Sequence, residues 1–507
     1  MSARPPWPGW TTPVLVLTVV IPGLALLFPP VAMAAAFGGW GVAAWVAVAA
    51  LAGTAGFILE GGQGCVLQGS LPNVLRRTLR PISWLGWFPV VLGAALAMLS
   101  LSLAAQAVVA GWRVLFPVEL SRTADGEALI AQAVMALIAA LLWRSGGVGL
   151  LRVAAVALPL AASMSVILAV MAVAGPGAGE GLIRLLAPVP APSAWSLLGE
   201  AAMAIPACGL GCGLAVALGS RRSRAREIAG SLTLAVVTGI LSVIALSLVT
   251  ALAMGQFWPG VTDGWRLALQ EVPEALRERL ADPVPAKVLW FALVAVLSGT
   301  AGLVAGDAVV QAIAEWAEGA SKPAETQHHR SSWRIGTAGW VAVIGWFLAI
   351  PLAWPDPPVG RMLGWIAMLA TCAAAVMAVI WAVRPGLAPL RRHLNAYSVV
   401  AIGLSWRLAV LGLLPLLAVA AVARQFLTIG GWLAPGEIDS ALVLALALVT
   451  PLATAAVVLV VLVARGPHPV DPNAVTMENF DPIDLDTDSV TRVPTRTSHQ
   501  PPTDGNG

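Results

Sequence analysis

Stretches of about twenty apolar residues recur along almost the whole chain, and nothing else in it constrains the fold as strongly. A helix of that length crosses the hydrocarbon core of a bilayer. Lipid offers no hydrogen bonds, so a crossing chain must satisfy its own peptide groups, as a helix or a closed barrel. A barrel strand would show as a segment of about ten residues with alternating polarity, and no such alternation is present. The expected fold is an all-α membrane protein of about twelve transmembrane helices. They are expected at 13–35, 38–69, 82–115, 127–143, 149–173, 194–219, 226–255, 286–316, 334–354, 360–383, 397–424 and 440–464, numbered span 1 to span 12. Spans 2, 3 and 8 exceed what a bilayer requires and should tilt or project from it. Only 11% of the residues are charged, where a water-soluble domain carries roughly a quarter, so lipid is the expected solvent for much of the surface. The net charge of +3 gives no sign of a nucleic-acid partner.

Arg4 before the first segment, with Ala32, Ala34 and Ala35 after it, has the outline of a signal peptide. Further apolar segments follow at once, which favours a retained helix. The arginines then give an orientation. Arg76, Arg77 and Arg80 follow span 2, Arg144 and Arg152 flank the turn after span 4, and Arg221, Arg222, Arg224 and Arg226 follow span 6. Lys322, Arg330 and Arg334 follow span 8, and Arg384, Arg391 and Arg392 follow span 10. The alternate loops are poorer, with Arg122, Arg184, Arg361 and Arg424 as their main basic residues. The positive-inside rule puts the rich loops and both termini in the cytoplasm of a cell's inner (plasma) membrane. Segment 256–285 then faces outward, and its 265–280 portion has helical spacing of apolar residues. It is either a cap over an outer entrance or a solvated surface helix. Residues 466–507 are rich in Pro, Thr and Asp, a composition that predicts disorder.

Chemistry is sparse. Nucleotide-binding loops, nucleophile elbows and metal motifs are absent, so no enzyme and no cofactor are expected. Cys65, Cys208, Cys212 and Cys372 lie within apolar stretches as small packing residues, and His328 and His329 lie in a polar loop. Two spans carry helix-breaking residues. Span 1 has Pro22-Gly23 followed by Phe28-Pro29-Pro30; span 6 has Pro206 followed by Gly209-Leu210-Gly211-Cys212-Gly213. Proline removes a backbone donor and glycine adds freedom to unwind. Freed peptide groups inside a membrane must face protein or a wet cavity. Two breaks five spans apart mark either a transporter of inverted repeats, with solute at the half-helix ends, or a pair of ordinary kinks. The repeat reading divides the chain into an N-terminus 1–12, a first unit 13–173, a second unit 194–383, a final pair 397–464 and the tail.

These motifs, in order over about 450 residues, resemble the neurotransmitter:sodium symporter family, bacterial amino-acid transporters with a five-plus-five inverted repeat. Phe28-Pro29 and Gly38-Gly39 match the end of helix 1, Glu60-Gly61-Gly62-Gln63-Gly64 matches helix 2, and 84–112 matches helix 3. Trp195 and Gly209-Leu210-Gly211-Cys212-Gly213 match helix 6, 269–276 the outer cap, and 289–300 the start of helix 8. The resemblance implies a divergent member that moves an amino acid or similar small organic solute by alternating access. It implies solute contacts at Gly23, Leu24, Gln106, Ala207, Gly209 and Cys212. Ion coupling falls to Val20, Thr238, Thr300, Glu60 and Asp307, with a weak sodium site near Val20, Ala301 and Gly302. Leu24 and Leu27 stand where relatives have a sodium-binding asparagine and a gate arginine, and Ala207, Ala301 and Gly302 where they have hydroxyls. Gln106 replaces a tyrosine that meets the solute carboxylate; it either keeps that contact or bonds a neighbouring helix. Glu60 should brace span 2 to the unwound part of span 6. Asp307 either titrates in place of sodium or faces a wet vestibule, and like Glu200 it has no family counterpart. Coupling is expected to sodium, to protons, or to neither. The competing reading is a membrane sensor or scaffold that keeps the fold without transport.

Overall fold

The computed structural model describes residues 11–116, 124–187, 194–222, 227–258, 263–320, 327–353, 359–383 and 386–432. Span 12 and the tail lie outside the described residues. Among those described, every regular element is a helix, and nine helices are long and apolar enough to cross a bilayer. They are span 2 (Gly39–Leu67), span 3 (Ile82–Leu115), span 4 (Gly126–Ser145), span 5 (Gly147–Ala174), span 7 (Ala229–Met254), span 8 (Val284–Ala317), span 9 (Arg334–Ala353), span 10 (Met362–Ala382) and span 11 (Leu404–Gln425). A bent pair, Thr11–Ala25 and Pro30–Phe37, makes span 1. The chain is a multi-pass helical membrane protein.

All these helices are apolar around their circumference, so polarity does not tell the core from the lipid face; packing does. Spans 4, 5 and 9 are each 22% buried over their apolar windows, against 67% for span 3, 72% for span 8 and 78% for span 10. The first three therefore face lipid, and the last three form the core. Spans 3 and 8 are the central pair, with span 1 laid against spans 7 and 8. Lipid chains are as apolar as leucine, so helices associate by close fit, and small residues permit it. A side chain on Gly23 of span 1 would collide with the Leu297 carbonyl and Ala301 of span 8. One on Gly302 would meet Leu101 and the Ala97 carbonyl of span 3.

Span 1 breaks later than Pro22-Gly23 suggested. The helix runs through Pro22 to Ala25 and then bends by 44° before Pro30. Proline inside a helix forfeits one hydrogen bond, and here the packing of Gly23 on span 8 holds the helix through it. The corner falls at Leu26–Pro29 instead, closed by turns from Leu27 to Leu24 and from Phe28 to Ala25. Pro30 then opens the second half at a first-turn position, where no amide donor is needed. Span 11 also begins late, at Leu404 rather than 397. Asn395 closes the preceding loop by accepting the Ile402 amide at 2.7 Å and donating to its carbonyl at 3.1 Å. Residues Leu387–Tyr397 form a separate surface helix that buries Leu387, Leu390 and Leu394.

The 265–280 segment is helical, as its spacing predicts: Gly264–Arg266, a π-turn over Leu267–Glu271, then Val272–Arg279. Asp263 caps it by accepting the Arg266 amide at 2.8 Å. It sits directly on the corner of span 1, with Gly264 pressed against the Leu26 and Leu27 carbonyls. Trp290 of span 8 donates its ring N–H to Ala268 at 2.7 Å. We call this element the cap.

Candidate solute site

Span 6 is three short helices, Ala194–Ala201, Ala204–Ala207 and Leu214–Gly219, and residues 208–213 between the last two are unwound. Gly209, Gly211 and Gly213 have φ of +78°, +67° and +70°, a region that side chains make costly and glycine enters freely. The alternate glycines of the motif thus let the chain leave the helix without strain. Amides of Cys208, Gly209 and Leu210 turn back onto Ala204, Pro206 and Ile205. The Gly211 amide goes to Glu60, whose Oε1 accepts it at 3.0 Å. The carbonyls of Cys208, Gly209, Gly211 and Cys212 accept no hydrogen bond among the described residues. Bare acceptors buried inside a membrane protein need a partner, and these four converge on one segment.

The remaining candidate residues divide. Val20 and Leu24 are fully buried in span 1, and Ala207 ends the short helix that packs against that span. Gly23 of span 1 meets Ala301 of span 8, and Gly302 packs on span 3. Thr300 donates to the Val296 carbonyl at 2.7 Å, within its own helix. Thr238 of span 7 lies 2.9 Å from the Thr18 hydroxyl of span 1. Gln106 donates its amide to the Leu352 carbonyl at the end of span 9. Val20, Gly23, Leu24, Ala301 and Gly302 bring no side-chain oxygen to the span 1–span 8 contact.

Asp307 is neither in a wet vestibule nor beside the expected ion site. It is fully buried and ion-paired to Arg221, just past span 6, and to Arg334, at the start of span 9. Around it Gln311 donates to Ser220 at 2.7 Å and to Glu315 at 2.9 Å. Glu315 accepts the Ser70 amide at 2.6 Å and the Asn73 side chain at 3.2 Å. One polar network therefore joins the ends of spans 2, 6 and 8 to the start of span 9, on the side of the basic loops; we call this the basic face. Asp307, Gln311 and Glu315 are spaced four apart, one stripe on an otherwise apolar helix. That spacing was the available signal for the network.

No family profile matches the chain, and no curated protein matches it in sequence. Its fold does match a solved structure: the crystal structure of MhsT in complex with L-phenylalanine, at a TM-score of 0.67 and 15% identity. The match covers 83% of this chain and 100% of that one. The chain has the fold of that structure, as the family resemblance of its motifs implied. In it the five-plus-five arrangement with broken spans 1 and 6 follows from the shared backbone.

At the opposite end of the molecule, Arg279 closes the cap. All five of its N–H bonds are used, each on a backbone carbonyl: Nε on Pro176 at 2.7 Å, one terminal nitrogen on Leu252 and on Ala253 (2.7 Å), the other on Ala172 and Gly175 (3.2 Å each). The carboxyl ends of spans 5 and 7 thus converge on one guanidinium that itself ends the cap helix. Burial pushes its pKa down from the usual arginine value. Glu271, in the cap, is pushed up to about 7, by burial first and by Asp263 beside it second, with Arg266 opposing. Glu200 of span 6 pairs with Arg424 of span 11 at 2.6 Å.

Proposed function

We propose that the chain is a secondary transporter of an amino acid or similar small organic solute, working by alternating access. One observation carries the reading: four bare carbonyls on the glycine-kinked 208–213 segment, buried at the break of span 6. A primary ammonium group is the natural donor for such acceptors, and the carboxyl and amino ends of half-helices add partial charges of the right sign. The phenylalanine bound by the structural neighbour supports an amino acid as the solute. Sodium is the less favoured coupling ion, because Val20, Ala301 and Gly302 offer it no side-chain oxygen. The basic face is cytoplasmic on the positive-inside rule, and the cap faces outward.

Uptake of labelled amino acids into proteoliposomes, with and without a sodium gradient, tests this; no flux across a broad panel would refute it. The tight contact of Gly23 on span 8 and the doubly paired Asp307 favour a second reading, a sensor locked in one conformation. Thermal stabilisation by an amino acid without flux would select it.

A further inference from the structure

Span 2 carries two buried polar side chains whose hydrogen-bonding capacity the solute site does not exhaust. Glu60 and Gln63 are 2% and 0% exposed, and a spacing of three residues puts them on one helix face. One Glu60 oxygen holds the Gly211 amide. The other has no partner among the described residues, and neither polar atom of Gln63 has one. Buried groups of this kind are ordinarily satisfied by ordered water.

A line of polar groups continues from them toward the basic face. Gly64, next to Gln63, lies against the Val216 carbonyl and the Ser220 amide of span 6. The Ser220 hydroxyl accepts from Gln311, Gln311 donates to Glu315, and Glu315 is half-buried at the end of span 8. The Ser70 hydroxyl and the Asn73 oxygen beside Glu315 are buried without partners as well. A carboxyl group thus stands at each end, with amides and hydroxyls between. Among the described residues Glu60 forms no ion pair. Among the described residues, the titratable or charged groups on elements packed around span 2 include Glu200, Cys208, Cys212, Arg221 and Arg222 of span 6, Cys372 of span 10, Arg407 of span 11, Arg76 of the Leu71–Thr78 helix, Glu180 and Arg184 of the Ala178–Leu186 helix, and Arg391, Arg392, His393 and Tyr397 of the Leu387–Tyr397 helix. Cys65 lies on span 2 itself, and Asp307 and Glu315 lie on span 8. Arg221 is already held by Asp307, and Arg222 reaches the Glu227 carbonyl at 2.9 Å.

We propose that Glu60 exchanges a proton with the basic face along Gln63, Ser220, Gln311 and Glu315, through bridging water, and that this proton is the coupling ion. The second clause rests on the transport reading; the first does not. The proton leaves the unpaired Glu60 oxygen for water and moves from water to water past Gln63, Ser220 and Gln311, whose amides and hydroxyl orient that water without carrying the proton; the Glu315 carboxylate takes it up and releases it to solvent. Glu60 is left as the anion that holds the Gly211 amide. A charged acceptor binds that amide more strongly than a neutral one. Proton occupancy is thereby linked to the shape of the segment that would hold the solute.

The test uses the full-length chain in liposomes. Infrared difference spectra across a pH titration should show one carboxyl band that Glu60→Gln removes. Its deuterium exchange should slow about tenfold in Gln63→Leu, equivalent to about 1.4 kcal/mol of barrier, and likewise in Gln311→Met, which sits farther along and guards against misfolding of the first variant. A band that survives Glu60→Gln, or exchange unchanged in both other variants, overturns the proton file. In the same liposomes a pH gradient without sodium should drive accumulation of labelled amino acids, and Glu60→Gln should abolish it. Accumulation that follows sodium alone overturns the coupling clause. Absence of any flux while the band behaves as stated refutes the transport reading and supports the file.

Discussion

Arg279→Lys and Arg279→Ala offer the sharpest test of how the cap is held. Arginine donates five hydrogen bonds from a rigid fork and lysine three, and at this site all five acceptors are carbonyls at the ends of spans 5 and 7. The side chain is 5% exposed, so water replaces lost donors poorly. Lysine leaves at least two carbonyls short, at about 1 kcal/mol each, for a local loss of about 2 kcal/mol. Alanine removes every donor and the charge that offsets the helix ends; with some water entering, about 4 kcal/mol is expected. Hydrogen exchange of cap amides reads this directly, since local opening scales with local stability. Exchange over 264–280 should rise about thirtyfold in the lysine variant and about 10³-fold in the alanine variant. Arg277→Ala is the control. Its ion pair with Glu274 is solvent-exposed, and such pairs contribute roughly 0–1 kcal/mol. If Arg279→Ala loosens the cap no more than Arg277→Ala does, the carbonyl cluster is not what seats it.

Three further outcomes are expected. Glu271 has a folded pKa of about 7 against an ordinary 4.5, so the folded cap binds more protons than the unfolded one between those values. Cap protection should therefore be greatest at the acid end and fall as pH rises through that window, with Glu271→Gln flattening the profile in exchange measurements. Gly23→Val forces a side chain into the Leu297 backbone of span 8 and should cost about 1–3 kcal/mol, seen as a lower apparent melting temperature in detergent; an unchanged value would mean that spans 1 and 8 are not in close contact. Asp307→Ala deprives Arg221 and Arg334 of a shared buried anion and should cost about 3 kcal/mol or more. Arg221→Leu in the same background should recover part of that loss, and no recovery would count against the pairing.

Much of the fold is legible in the sequence because the bilayer sets the length of a span and leaves helices as the only simple solution. Residues 208–213 are legible for the same reason: three alternating glycines in lipid have few other uses. Contacts are another matter. Pro22 reads as a break, but a proline costs one hydrogen bond, and whether the helix continues depends on what Gly23 touches. Gln106 carries the same amide whether it meets a solute or Leu352, and only the position of span 9 decides. Asp307 reads as a lone intramembrane acid because its partners are 86 residues upstream and 27 downstream. Arg279 looks like any charged surface residue, since its acceptors are carbonyls, which have no sequence signal at all.

The two ends of the molecule are held differently, and that difference bears on which can open. A ligand shifts a conformational equilibrium only by its differential affinity, and moving it from 1:99 to 99:1 takes about 5.5 kcal/mol. Arg279 spends every donor on backbone carbonyls and meets no carboxylate among the described residues. Pulling it away from spans 5 and 7 would orphan several buried acceptors at once and consume most of what a small solute can supply. Asp307 has two cationic partners on different spans. It can lose Arg221 as span 6 moves and still keep Arg334, so the anion is never left bare. On the proposed transport reading, the basic face is the end that a solute or a proton would unlock, while the cap, tied to spans 5 and 7, would move with them or not at all. Spin labels on the exposed positions Val173 of span 5 and Glu278 of the cap should then keep one separation in every state. A second pair spanning Arg222 and Trp316 should broaden when an amino acid that the chain binds is added. The reverse pattern, a fixed basic face and a mobile cap, would mean that the carbonyl cluster is cheaper to break than a two-armed salt bridge.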